Sequence, residues 1–285
     1  MMYRCMGCMN EYDSSLFVCP HCNYARNSSA KEPHCLTPET VLDKRYIVGR
    51  VMSLDAFSIK YLGWDFAESQ SVIIKEYFPK ELSSRMPGQT QLNSYDGEKA
   101  KQFEAGLKAF VEEGSSLAGI SAGLEGVAKI KNVFVENSTA YIVTERPDGV
   151  SFKQVLEMGR LPWHDALSLV QPLIESLDYI HNNGLINYSI APENIVMTRE
   201  RTMKLLDFGG SRFATVGNNK NLGLITTDGF SALELYRDDA DTTAACDVYS
   251  IAAILYYAIT GVVPASAIER SSSDRLKPCG NFCRS

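Results

Sequence analysis

Four cysteines fall within the first 22 residues as two close pairs, Cys5-Met-Gly-Cys8 and Cys19-Pro-His-Cys22, with ten residues between them. That spacing lets two tight turns present four thiolates to one tetrahedral ion. Gly7 and Pro20 suit turns that bend closely around sulfur, and the stretch through Leu16, Phe17 and Val18 can supply a short hairpin. So short a segment cannot bury a useful core, so bound metal has to supply most of its folding free energy. Zinc on Cys5, Cys8, Cys19 and Cys22 is the default, and four protein ligands leave no open position for water, which makes the role structural. A redox use of these pairs lacks the βαβ pattern that normally accompanies it. His21 is a substitute ligand that more often faces solvent, while Cys35, Cys246, Cys279 and Cys283 lack paired spacing and read as isolated thiols.

The remainder is ordinary globular material. With 285 residues, 45% of them hydrophobic and 22% charged, the chain can bury a sizeable core. Its formal net charge of -6 argues against broad charge-driven binding to nucleic acid or an anionic membrane. No charged segment followed by an apolar run and a cleavage site opens the chain, which predicts a cytoplasmic protein whose thiols stay reduced or metal-bound. The uncharged run from Val248 to Ile268 is long enough to suggest a membrane span, but Gly261 and Pro264 predict a helix stop after about fourteen residues, hence a buried helix and no span.

Residues 25–38 turn to Arg, Asn, Ser, Lys and Pro, the composition of a linker. Beyond Leu42, short β-prone runs follow at 46–51, 57–62 and 72–76, then a helix on which Phe103, Leu107, Phe110 and Leu117 recur at helical spacing. Runs at 133–135 and 141–143 flank Glu136-Asn137-Ser138 as a hairpin. After Glu145 the pattern becomes helical, with Ser151 as an N-cap, Gly159 as a stop, and a long amphipathic helix from Trp163 to His181 weakened at Pro172. Strands first and helices later predict an α+β fold of two lobes with a cleft, where ligands usually bind.

Several segments then carry a resemblance. Val72-Ile-Ile-Lys75 looks like the third-strand lysine motif of protein kinases, and Leu206-Asp207-Phe208-Gly209 looks like their metal-binding DFG segment. Between them Asn187-Tyr-Ser-Ile-Ala-Pro-Glu-Asn194 sits where the HRD catalytic loop belongs, Ser189 and Asn194 keep its spacing, and 195–197 with 203–206 form a hairpin leading to Asp207. Asp247-Val-Tyr is similar to the start of the large buried helix, and Glu-Tyr-Phe-Pro at Glu76 with Arg-Met-Pro-Gly-Gln-Thr at Arg85 resembles clostridial-type relatives. On these residues the chain resembles the bacterial eukaryotic-type Ser/Thr protein kinases that carry an N-terminal zinc ribbon. The resemblance implies a zinc ribbon at 1–24, a linker at 25–42, a kinase-like domain at 43–278 and a tail at 279–285. A β-rich N-lobe would occupy about 43–145 and an α-rich C-lobe about 146–278, the latter cut short where a full lobe continues.

Phosphoryl transfer needs positioned charge: a lysine on the phosphates, a glutamate orienting it, metal ligands and a base. The resemblance places Lys75 and Glu113 in the first two roles, with Glu112 as a neighbouring candidate, and Asn194 and Asp207 as ligands for Mg²⁺ with ATP. Thr144 and Glu145 fall where backbone would meet an adenine. The departures are as telling. Where relatives show Gly-x-Gly-Gly-Phe-Gly, this chain has Ser53-Leu-Asp-Ala-Phe-Ser58, and Asp55 would repel an anion. Asn187, Tyr188 and Ser189 replace His, Arg and Asp, so the base is missing and so is the arginine that would answer a phosphorylated activation loop. Glu234 fits the APE glutamate and Asp247 the anchor of the catalytic loop. The leading expectation is a pseudokinase acting as an interaction module with a protein partner or substrate and a nucleotide; the alternatives are an active Ser/Thr kinase with an atypical mechanism and a zinc-ribbon adaptor that captures a protein. Only Arg4 and Arg26 are obvious cations near the ribbon, too few for nucleic acid.

Overall fold

The β-prone runs of the first half pair into one antiparallel sheet, while the helical second half gathers around a smaller one. The computed structural model describes residues 1–207, 226–237 and 242–282, so Phe208, Gly209 and Cys283 lie outside the described residues. Two compact units result: Met1–Gly119 with Ile130–Arg146, and Ile120–Lys129 with Pro147–Ser285.

In the first unit, β1 (Met2–Arg4) pairs antiparallel with β2 (Glu11–Asp13) on either side of the Cys5–Cys8 turn. The sequence predicts a short hairpin through Leu16, Phe17 and Val18 but not this ladder. That stretch does pair briefly: the Val18–Ala25 bridge is flanked by the Arg26 amide on the Phe17 carbonyl at 2.8 Å and the Cys19 amide on the Tyr24 carbonyl at 3.0 Å, and its three side chains stay exposed. Between the two pairings the Asp13 carboxylate takes the Ser15 amide at 2.8 Å, a side-chain turn.

Next come β3 (Val41–Leu42), β4 (Tyr46–Leu54), β5 (Ser58–Asp65) and β6 (Gln70–Tyr77), then the small pair β7 (Ser83–Ser84) and β8 (Asn93–Ser94). Helix α1 (Glu98–Ser121) leads to β9 (Ile130–Glu136) and β10 (Thr139–Glu145), giving a sheet of order β3-β4-β5-β6-β10-β9. The predicted β9–β10 hairpin closes in two residues, Asn137 and Ser138, at φ of 55° and 57°, the left-handed pair that matches strand twist. Helix α1 buries Phe103, Phe110 and Leu117, and the Tyr77 ring meets Phe103 and Phe110 at 5.3 and 5.6 Å.

The cysteine turn is built into this unit. Met6 and Met9 join Leu62 in one apolar cluster with Ile47 and Trp64. The Arg50 amide donates to the Met6 carbonyl at 2.8 Å and the Arg50 Nε to the Gly7 carbonyl at 2.8 Å, while the Arg4 guanidinium lies 3.5 Å from the Trp64 ring centre. Gly49 permits the approach, since a Cβ there would stand 2.3 Å from Met9 Cε and 2.5 Å from the Met6 carbonyl. Within the linker-like segment Cys35 and Leu36 are buried, and the Leu36 amide donates to the Tyr61 hydroxyl at 3.1 Å.

In the second unit β11 (Gly149–Ser151) runs into α2 (Phe152–Glu157), and the predicted cap at Ser151 is a full capping box with Gln154. Helix α3 (Trp163–Asn182) carries Pro172 inside it, and the Ser176 hydroxyl donates to the Pro172 carbonyl at 2.8 Å while accepting the Gly126 amide at 2.9 Å. The hairpin β12 (Ile195–Thr198) and β13 (Met203–Leu205) forms as expected, with β11 added at its edge. Helix α4 (Ala245–Thr260) ends at Gly261, φ 73°, and α5 (Ala267–Ser272) follows. Among the described residues no helix is long and apolar enough to cross a membrane.

Candidate functional site

The predicted site residues divide between the two units. Lys75, Glu113, Thr144, Glu145 and the four cysteines belong to the first; Ser189, Asn194 and Asp207 belong to the second.

Strand β6 alternates its side chains between faces, and Lys75 and Glu76 therefore point opposite ways. Lys75 stands across from Ile142 on β10, and α1 approaches there so closely that a Cβ on Gly114 would stand 2.8 Å from Ile142 Cδ1. Glu113 precedes that glycine, and both ionisable side chains are buried, Lys75 at 5% and Glu113 at 8% exposure. Thr144 pairs with Ile73, two residues from Lys75, and its buried hydroxyl has no hydrogen-bond partner among the described residues. Glu145 ends the strand, half-buried.

On the reverse face Glu76 and Arg85 form an ion pair with both side chains at 0% exposure. The Tyr61 and Tyr141 hydroxyls donate to the same carboxylate at 2.8 and 3.0 Å, and Arg85 also donates to the carbonyls of Thr90 and His34 at 3.0 Å each. Burial, then the charge on Glu76, holds both tyrosine hydroxyls far above their ordinary pKa. The sequence marked Glu76 and Arg85 only as parts of two recurrent segments; nothing in their spacing announced a contact.

The second-unit residues form a connected polar scaffold. Asp247, at 0% exposure, accepts the amides of Asn187 and Tyr188 and meets His181 Nε2, each at 2.8 Å, as its predicted anchoring role requires. Asn187 Nδ2 donates to the Asp207 carbonyl at 2.6 Å while its Oδ1 accepts the Ser189 amide at 2.9 Å. Asn194 Nδ2 donates to the carbonyl and hydroxyl of Ser189 at 2.9 and 3.2 Å. The loop's backbone is thus tied down around a serine. Tyr188 is held at φ 63° and packs against the cluster of Ala232, Leu235 and Cys246. Glu234 is exposed in the short 3-10 turn Leu233–Tyr236. Sequence reasoning passes over His181 because its partner Asp247 lies 66 residues away.

The sulfurs of Cys5, Cys8, Cys19 and Cys22 all lie within 4.8 Å of one another, with Cys5 to Cys22 at 3.5 Å and Cys8 to Cys19 at 3.8 Å. Tetrahedral zinc with Zn–S bonds of about 2.3 Å needs sulfurs roughly 3.8 Å apart, so the donor set fits. Burial pushes the Cys5 thiol well above its ordinary range. His21 and Cys22 are exposed at the rim.

A family model described as "Protein kinase domain" matches residues 92–279. The chain belongs to the protein kinase domain family. This kinase domain is 26% identical over 227 residues to the serine/threonine-protein kinase PknL of Mycobacterium tuberculosis, covering 79% of the chain and 51% of that relative. It is 27% identical over 165 residues to the "Probable serine/threonine-protein kinase CPE1738" of Clostridium perfringens, covering 58% of the chain and 24% of that relative. The chain therefore spans a quarter to a half of the length of these curated relatives. Among solved structures the PpkA-294 apo form superposes with TM-score 0.70 at 24% identity, over 87% of this chain and 86% of that one. The M. tuberculosis PknI kinase domain superposes with TM-score 0.59 at 19% identity, over 86% and 82%. At these identities the likeness speaks to the fold.

Proposed function

We propose that this kinase domain is a pseudokinase of the bacterial Ser/Thr type: a signalling module that keeps the catalytic-loop scaffold and has lost the chemistry. The observation that carries the reading is Ser189, whose hydroxyl accepts from Asn194 at 3.2 Å in a loop otherwise anchored through Asp247. A serine hydroxyl stays neutral near pH 7 and cannot take a proton from a substrate hydroxyl as a carboxylate would. Loss of a general base costs about 10² to 10⁴ in rate.

Asn194 and Asp207 would supply oxygen ligands to Mg²⁺, because the Asn194 nitrogen is engaged by Ser189 and its oxygen remains for the ion. Lys75, oriented by Glu113, would meet the ligand's charge, with Thr144 and Glu145 at its adenine edge. Mg²⁺, when bound, neutralises phosphate charge. Zinc on the four cysteines would secure the ribbon, and the module would act through a protein partner.

The test is phosphotransfer from ATP to protein by the full chain and by Ser189→Asp. Background activity in the wild type, raised about 10² to 10⁴-fold by the substitution, is the expected result. Robust wild-type turnover that Asp207→Ala abolishes would overturn it. The second reading, an active Ser/Thr kinase with an atypical base, draws on the buried Lys75 and Glu113 and on the retained Asn194 and Asp207. It requires a turnover that Ser189→Asp leaves unchanged.

A further inference from the structure

The β4–β5 turn occupies the place of the kinase glycine-rich loop, and its tip is closed by its own side chain. Asp55 Oδ1 accepts the amides of Phe57 at 2.8 Å and Ser58 at 2.6 Å, and Asp55 Oδ2 accepts the Ser58 hydroxyl at 2.6 Å. The Asp55 amide donates to the Ser58 carbonyl at 3.0 Å. The tip is also held from below: the Phe78 amide donates to the Phe57 carbonyl at 2.8 Å and the Lys80 amide to the Ala56 carbonyl at 3.1 Å. Phe57 and Ser58 are buried.

Successive amides converging on one point make an anion-binding concavity, and a phosphate-binding turn works by keeping such donors open. Here a carboxylate already fills them. An incoming phosphate would have to evict it and then sit beside an anion stripped of its three donors, while Phe57 and Ser58 side chains bar the close backbone approach that glycine allows.

We propose that Asp55 is a resident surrogate for phosphate, so that this turn gives a phosphate chain no affinity of its own and the site favours ligands of the nucleoside class. The proposal deepens the pseudokinase reading and rests on its placing of this turn over the ligand's phosphates. It accounts for the missing glycines as one device: a turn that binds no external phosphate has no need of them.

The test titrates the full chain with adenosine and with ATP and Mg²⁺, by calorimetry and thermal shift, for wild type, Asp55→Ala and Asp55→Asn. The wild type should bind the two ligands within about threefold of each other. Both variants should raise ATP affinity about tenfold or more while adenosine affinity holds, the equivalent of regaining one charge-assisted hydrogen bond. Wild type that binds neither ligand overturns the nucleoside assignment, even where the variants gain ATP binding. The proposal is also overturned if wild type already prefers ATP over adenosine by about tenfold, if the preference is the same in all three proteins, or if none of them binds ATP. Asp55→Asn keeps the shape and one acceptor of the aspartate, and serves where Asp55→Ala loosens the hairpin. Because Ser189→Asp is read by turnover and Asp55 by the ratio of two affinities, failure of either leaves the other standing.

Discussion

Removing Arg85 should damage this protein more than removing any exposed charge. The Arg85→Ala change would leave the Glu76 carboxylate, at 0% exposure, with two tyrosine hydroxyls and no cation, and would strip donors from the carbonyls of Thr90 and His34. Breaking a buried ion pair from one side costs about 3–5 kcal/mol, because the remaining charge is uncompensated. Against a total stability of about 5–15 kcal/mol, that is a large share. It corresponds to a fall of roughly 6–20 °C in the unfolding midpoint, at about 2–4 °C per kcal/mol. The assay is urea and thermal unfolding followed by far-UV circular dichroism, on Arg85→Ala, Glu76→Gln and the double variant. Residues sharing one network couple, so the double variant should lose about 1–3 kcal/mol less than the two single losses added together. A loss below about 1 kcal/mol for Arg85→Ala, or strictly additive losses, would refute the idea that this pair ties residues 34–36 and the β7–β8 excursion to the strand carrying Lys75.

Two further outcomes follow from the first unit. Stripping metal from the full chain with a strong chelator should lower its unfolding midpoint and speed hydrogen exchange at the Arg50 amide, whose acceptor is the Met6 carbonyl between two of the cysteines; unchanged protection at Arg50 would show that the ribbon does not brace β4. Burial pulls the Asp65 carboxyl up, but the Arg45 fork at 2.9 and 2.7 Å and the amides of Ala67 and Glu68 outweigh it and leave the pKa below its ordinary value. A carboxyl depressed in the fold stabilises above its unfolded value of about 3.9 and loses that contribution as pH falls through the folded value, so wild type should weaken steeply in acid below about pH 4. Asp65→Asn should cost about 1–3 kcal/mol at pH 7 and flatten that acid limb; an equally steep limb in the variant assigns the acid lability elsewhere.

Much of the candidate site could be read from residue order. Strand β6 announced itself by its apolar run, the β9–β10 hairpin by Asn137 and Ser138, and the loop in which Asn194 meets Ser189 by their five-residue offset. What escaped were contacts between distant residues of unremarkable local context. Glu76 meets Arg85 and Tyr141, and His181 meets Asp247, across separations of 9, 65 and 66 residues. The knuckle was legible as a ligand set and its short hairpin at Val18 forms, but the β1–β2 ladder was not legible, because three pairs are hardly decided by β-propensity. The sequence shows Asp55 only as a charge that would repel an anion; the folded turn shows its carboxylate spent on the amides of Phe57 and Ser58.

The amino-acid order alone determined what is local: the four thiols, the strand-then-helix succession, the caps at Ser151 and Gly261, and the placing of Ser189 five residues before Asn194. These follow from backbone propensity and short-range spacing, which need no knowledge of distant neighbours. Tertiary structure decided that the cysteine turn would share a core with Leu62 and Trp64, that Asn187 would bridge Asp207 to Ser189, and that a glutamate and an arginine would be buried as a pair behind Lys75. Each depends on desolvation, and a side chain's loss of water is a property of the packed chain, written in no single stretch of it.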